Sequence, residues 1–137
     1  MDDCIFCKII KGDLPSYKVY EDEFTLAFLD INPIAPGHTL IILKEHYQDL
    51  VATPAADLAQ IISTVKKIAP AVVSSVGATG FNVGVNNGKV AGQLIEHVHF
   101  HLIPRKEGDG LGGWSNKPAT PEELSKILTE IKQNLDV

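Results

Sequence analysis

From His97 to Leu102 polar and apolar residues alternate, as His97-Val98-His99-Phe100-His101-Leu102, before Ile103 and a stop at Pro104. A two-residue period sends successive side chains to opposite faces of a strand. Val98, Phe100 and Leu102 are therefore expected on a core face, with three imidazoles on the other. Strands are also expected over Tyr17 to Glu21 and Phe24 to Leu29, around a turn at Glu21-Asp22-Glu23, over Thr39 to Leu43, and over Phe81 to Val85 before the turn signal Asn86-Asn87-Gly88. Helical spacing sets in elsewhere. Ile5, Phe6, Ile9 and Ile10 predict a short helix from Cys4 to Lys11, stopped by Gly12 and Pro15. A longer helix starts at Thr53 as N-cap with Pro54 in its first turn. Leu58, Ile61, Ile62, Val65 and Ile68 fall on one of its faces, and Pro70 is expected to kink it or end its regular part. Thr120-Pro121-Glu122-Glu123 is a capping box that opens a C-terminal helix over 121–135, with Leu124, Ile127, Leu128 and Ile131 as its apolar positions. Residues 105–120, rich in Gly and polar residues around Trp114, predict a mobile loop. Helices separated by hairpin-linked strands give one α+β domain over 1–137 with an antiparallel sheet.

Composition narrows the function classes. At 137 residues, 45% hydrophobic and 21% charged, the chain has the size and balance of one soluble globular domain. Its net charge of −5, with no basic cluster longer than Lys66-Lys67, argues against a grip on a nucleic-acid backbone. No apolar run approaches the roughly 20 residues that span a bilayer, and the acidic N-terminus lacks a signal-peptide pattern, so no membrane association and a cytoplasmic location are expected. The cysteines, Cys4 and Cys7, are two residues apart, a spacing that suits metal or redox chemistry better than a structural disulfide.

Three of the five histidines on one strand face form the candidate site. Imidazole titrates near neutral pH and serves as nucleophile, acid, base or ligand. One metal does not suit all three. Alternate strand residues are roughly 6.6 Å apart, so His97 and His101 are separated by roughly 13 Å of backbone, whereas zinc holds nitrogens at about 2.1 Å. A division of labour is easier. Cys4, Cys7, His46 and His97 would make a closed Cys₂His₂ structural zinc site that pins the N-terminal helix to the sheet. The competing reading is a buried or redox-active cysteine pair, although no thioredoxin-like βαβ pattern surrounds it.

Ala91-Gly92-Gln93 running into His97-Val98-His99-Phe100-His101-Leu102-Ile103-Pro104-Arg105 closely resembles the signature of the histidine triad (HIT) family. Ile5-Phe6-Cys7-Lys8-Ile9-Ile10 resembles its opening helix, and Phe28-Leu29-Asp30-Ile31-Asn32-Pro33 with Ala35-Pro36-Gly37-His38 resembles its ribose-side loop. The pattern is most similar to the nucleotide-binding branch in its zinc-containing bacterial form. The resemblance implies a five-stranded antiparallel sheet with a long helix, a short N-terminal helix and a C-terminal helix. It implies a hydrolase acting at the α-phosphorus of a purine nucleotide conjugate, with a nucleoside phosphoramidate as first substrate class and a nucleoside monophosphate as product.

Residue by residue, the resemblance implies His99 as nucleophile, forming a nucleotidyl-imidazole intermediate that water resolves. A backbone carbonyl is expected to hold the other N–H of His99. His101 is implied at the phosphate and leaving group, His38 as its support, and Gln93 with the N–H groups near Gly92 at the non-bridging oxygens. Asn86 is implied on the phosphate side and Asp30 at the ribose hydroxyls. Phe6, Ile9, Phe28, Ile31 and Leu40 are implied as the slot for the base. Asp30 read by itself is equally a turn former, and Phe6, Phe28 and Leu40 equally core. Leu94 departs from the family pattern, standing where many relatives carry a serine that helps protonate the leaving group. The resemblance further implies a homodimer joined through an edge strand, with the tail around Trp114 reaching the partner's site. Three alternatives remain at this stage: a dinucleoside polyphosphate hydrolase, a slow nucleotide-binding regulatory or scaffold protein, and a metalloenzyme holding one ion on His97, His99 and His101.

Overall fold

The computed structural model describes residues 3–110 and 117–135. Three helices, α1 (Ile5–Lys11), α2 (Ala55–Ser75) and α3 (Pro121–Asn134), accompany five strands, β1 (Lys18–Glu21), β2 (Thr25–Leu29), β3 (Thr39–Leu43), β4 (Gly80–Val85) and β5 (His99–Arg105). The strands form one antiparallel sheet in the order β1-β2-β3-β5-β4. This is the α+β architecture the alternation predicts.

The two faces of the sheet are dressed differently. On one, Ala27, Leu29, Ile41, Leu43, Val98, Phe100 and Leu102 pack with Ile61, Val65, Ile68 and Val72 of α2 and with Leu124 and Ile131 of α3. On the other, Leu26, Phe28, Leu40 and Ile42 pack with Phe6 of α1. Because both faces are covered, β2 and β3 are buried at every position and read as unbroken apolar runs. Register then fixes the site. His99 lies beside Ile42, and His101 lies between Leu40 and Gly84, on the α1 face. Gly84 brings no side chain to that row, so the strip next to His101 stays open.

Several expected details differ. Pro54, not Thr53, is the N-cap of α2: its carbonyl accepts the N–H groups of Asp57 and Leu58 at 3.0 and 3.1 Å, while the Thr53 hydroxyl donates to the Asp49 carbonyl at 2.6 Å. Ile62 is 50% exposed, one position outside the stripe that Ile61, Val65 and Ile68 bury. Pro70 sits exposed inside α2 without ending it, since its missing N–H frees only a carbonyl one turn earlier on the solvent side. β5 continues through Pro104, which lies beyond the last β3 partner, Leu102.

The expected mobile loop is anchored at both of its described ends. Arg105 grips Asp109 through Nε at 2.8 Å and its terminal nitrogen at 3.0 Å. The N–H groups of Lys117 and Ala119 donate to the carbonyls of Pro33 and Ile31 at 3.1 Å each. This part of the tail therefore braces the 30–38 loop of its own chain. Trp114 lies outside the described residues.

Candidate active site and metal cluster

Backbone groups set the tautomers of His38, His97 and His99, and His38 in turn sets that of His101. Burial, the largest cause in each case, pushes His38 down to about 3 and His97 and His101 to about 4, and lowers His99 from its ordinary value. The first three rings are therefore neutral at pH 7, and each carries one N–H and one bare nitrogen.

His99 Nδ1 is 2.7 Å from the His97 carbonyl oxygen. A carbonyl only accepts, so the proton is on Nδ1 and Nε2 carries the lone pair. This is the backbone acceptor that covalent chemistry requires, and it belongs to the preceding histidine. A second chain starts at the Ile34 N–H, which donates to His38 Nδ1 at 3.0 Å. His38 must then carry its proton on Nε2 and donate to His101 Nδ1, 2.9 Å away. His101 in turn is left with its proton on Nε2. That atom is buried and has no hydrogen-bond partner among the described residues, which is costly unless a ligand oxygen fills the place. The result is a bare nucleophilic nitrogen and a fixed N–H donor on neighbouring rings, whose centroids are 5.1 Å apart.

The implied nucleotide contacts come together only in part. Phe6, Phe28 and Leu40 share one buried cluster with the partly buried Ile9, and Phe6 meets Phe28 edge-on at 5.5 Å. Ile31 is 57% exposed at the rim. Asp30 Oδ1 accepts from the Asn32 N–H at 2.9 Å, which is its turn-forming role, while Oδ2 lies 3.8 Å from His38 Nε2. Burial raises the Asp30 carboxyl above its ordinary value. Gly92 has φ +95, a backbone conformation that L side chains rarely adopt, which favours glycine there.

Gln93 is bonded within the loop before the histidine strand. Its Oε1 accepts from the Gly88 N–H at 2.8 Å and its Nε2 donates to the carbonyls of Gln48 and Ile95. With its side-chain groups engaged in these bonds and 4% exposure, it shapes the loop. Leu94 is 85% exposed and lines a hollow of about 310 Å³ with Cys4 and His46.

Cys4, Cys7, His46 and His97 converge, with their ligand atoms all within 4.8 Å of one another. Cys4 Sγ and Cys7 Sγ lie 3.4 and 3.6 Å from His97 Nδ1, and Cys7 Sγ lies 3.3 Å from His46 Nδ1. A zinc tetrahedron with about 2.3 Å to sulfur and about 2.0–2.1 Å to nitrogen has S···N edges of about 3.5 Å. His97 also has the right tautomer: its Nε2 donates to the Leu43 carbonyl at 2.8 Å, leaving Nδ1 bare towards the sulfurs. Burial and then the adjacent Cys4 thiol raise the Cys7 thiol, a setting in which a divalent cation favours the thiolates. The donor set fits a zinc-type ion. His99 belongs to no metal-capable group among the described residues, so one ion shared by His97, His99 and His101 is ruled out by geometry.

Sequence reasoning missed one device here. Cys4 is the N-cap of α1, accepting the Cys7 N–H at 3.4 Å. The C-x-x-C spacing matches an N-cap and its third helical residue, a signal present in the sequence.

The buried pair His38 and His101 also predicts an acid limit to stability. Both lie below the value that they regain on unfolding. Between pH 6.5 and about 4 the unfolded chain therefore binds more protons than the folded one, and stability falls as pH falls. The neighbours His99 and Asp30 face the same pair. Each histidine contributes a slope of about 1.4 kcal/mol per pH unit. Denaturant midpoints are expected to be flat above pH 7 and to decline below 6.5, with a shallower decline in His38→Gln. Parallel curves for the two proteins would contradict this.

A family model described as the HIT domain matches residues 11–108. An adenylylsulfatase of Arabidopsis thaliana is 49% identical over 98% of this chain and 70% of its own. An adenosine 5'-monophosphoramidase of Schizosaccharomyces pombe is 44% identical over 96% of this chain and 98% of its own. The crystal structure of a zinc-bound histidine triad family protein from Mycobacterium smegmatis superimposes with a TM-score of 0.84 at 38% identity, covering 96% of this chain and 95% of that one.

Proposed function

The chain belongs to the HIT family, and on that premise we propose that it hydrolyses purine nucleoside phosphoramidates through a nucleotidyl-histidine intermediate. The observation that carries the proposal is the 2.7 Å bond from His99 Nδ1 to the His97 carbonyl, which leaves Nε2 bare beside the His101 N–H.

In this reading His99 Nε2 attacks the α-phosphorus, a P–N bond to the ring forms, and the bond to the leaving amine breaks. The leaving nitrogen keeps the electron pair of the broken bond, takes a proton from solvent and departs as the neutral amine. The ring becomes an imidazolium, and the His97 carbonyl dipole, already aligned on Nδ1–H, stabilises it without reorganising. His101 Nε2–H supplies a hydrogen bond to the phosphoryl oxygens or the leaving atom. Water then attacks phosphorus, loses its proton to solvent and displaces neutral His99, releasing the nucleoside monophosphate. Asp30 Oδ2 suits the ribose hydroxyls, and the Phe6–Phe28–Leu40 wall suits a purine face. The relatives named for phosphoramidate and adenylylsulfate substrates support adenylyl transfer with varied leaving groups.

The Cys4, Cys7, His46 and His97 group is proposed as the resident zinc site. When bound, the ion supplies structural cross-linking. Turnover of adenosine 5′-phosphoramidate is expected to exceed that of a diadenosine polyphosphate measured side by side. The reverse order would favour the dinucleoside polyphosphate hydrolase.

We also propose a homodimer through β4, an edge strand whose Phe81 and Val83 are 47% and 41% exposed. An edge bearing apolar side chains is a template for pairing. Sedimentation is expected to give a dimer, and Val83→Lys a monomer; an unchanged dimer in the variant would place the interface elsewhere. No helix among the described residues is long and apolar enough to cross a membrane.

A further inference from the structure

The helix that carries two of the four cluster ligands also carries a wall of the nucleotide slot. Phe6 stands between Cys4 and Cys7 in sequence, is 6% exposed, and packs edge-on against His99 at 5.1 Å, Phe28 at 5.5 Å and His97 at 5.8 Å. α1 has seven residues, too few to hold its shape alone in water. Its backbone makes no extended contact with any strand or other helix among the described residues. What attaches it is side chains: Phe6, the partly buried Ile9 and Ile10, and the two cysteines that face His46 and His97.

His97 is held differently. Its Nε2 donates to the Leu43 carbonyl, its N–H donates to the Ile95 carbonyl at 2.9 Å, and the next N–H, that of Val98, donates to Tyr47 at 2.8 Å. The carbonyl that sets the His99 tautomer therefore keeps its place through bonds independent of any ion. The two halves of the site have separate supports.

We infer that an ion on the cysteine–histidine cluster governs nucleotide affinity through α1 and Phe6, while leaving the chemical step nearly untouched. This rests on the nucleotide reading above. With the ion bound, α1 is clamped and Phe6 closes on Phe28 and His99. Without it the clamp is gone, Phe6 samples other positions, and ordering it again opposes binding of the base. The coupling must be reciprocal, so bound nucleotide tightens the hold on the metal by the same factor.

The test uses the zinc-loaded protein, AMP and a competing chelator. Saturating AMP is expected to raise zinc affinity about tenfold, within the range usual for coupled sites. Phe6→Leu keeps all four ligands and is expected to abolish that shift. Kinetically, partial removal of zinc is expected to raise KM for adenosine 5′-phosphoramidate about tenfold in the metal-free fraction, with kcat changed less than about twofold. Zinc affinity that is indifferent to AMP, in a protein that binds AMP, would overturn the coupling alone. A shift that survives in Phe6→Leu would overturn the route through Phe6. Zinc-loaded protein that fails to bind AMP would overturn the nucleotide reading, and the coupling with it.

Discussion

A His99→Ala protein is expected to lose roughly 10⁴-fold or more in turnover of adenosine 5′-phosphoramidate while still binding AMP. The size follows from what the ring alone supplies. His99 offers a bare Nε2 whose lone pair is fixed by the Nδ1–H bond to the His97 carbonyl. Neither His38 nor His97 can substitute, because the former donates from Nε2 to His101 and the latter turns its lone pair towards the cysteines. His101 has its proton on the buried Nε2, at the end of the relay away from His38, so it is a donor and not a nucleophile there. Its replacement by alanine is expected to cost less, about 10²–10³-fold, the usual range for a single hydrogen-bond donor to developing charge. Quenching the native enzyme during turnover of α-³²P-labelled substrate should trap label on the protein, and His99→Ala should trap none. Equal rates for native and His99→Ala protein would remove this imidazole from the chemistry.

Much of this site is legible in the chain, and what is not legible has a common physical origin. The alternation gives the shared face of His99 and His101 because side-chain direction in a strand depends only on parity, whereas His97 lies just before β5. The division of the histidines between two sites follows from distance along the strand and needs no coordinates. The hidden components are main-chain atoms. The carbonyls of His97 and Leu43 and the N–H of Ile34 set the tautomers, yet every residue has such groups and no side-chain pattern marks these three. Gln93 carries bonds that its residue type does not announce. The folded loop engages its amide on Gly88, Gln48 and Ile95. The composition of the tail gives no sign of the two backbone bonds to the 30–38 loop or of the Arg105–Asp109 fork that hold its described parts.

Replacing His46 by alanine is expected to lower the melting temperature by roughly 10–20 °C and to make it insensitive to chelator. His46 offers its Nδ1 to Cys7, 3.3 Å away, and its ring meets His97 edge-on at 4.8 Å. It makes no contact with His99 or His101, so the variant removes a ligand without touching the relay. A metal that binds only the folded chain, at a free concentration a thousandfold above its dissociation constant, stabilises by about 4 kcal/mol. At roughly 3–5 °C per kcal/mol for a chain of this length, that gives the stated range. The thiols add a pH dependence of their own. Burial and the neighbouring Cys4 raise the Cys7 thiol, so binding must release protons and affinity must weaken as pH falls. Chelation of the native protein should therefore reproduce the His46→Ala melting temperature, and more readily at pH 6 than at pH 8. Because His97 keeps its bonds to Leu43 and Ile95 without the ion, kcat per folded molecule should change far less than stability does. A chelated protein that melts as before but no longer turns over would reverse the assignment and place the metal in the chemistry.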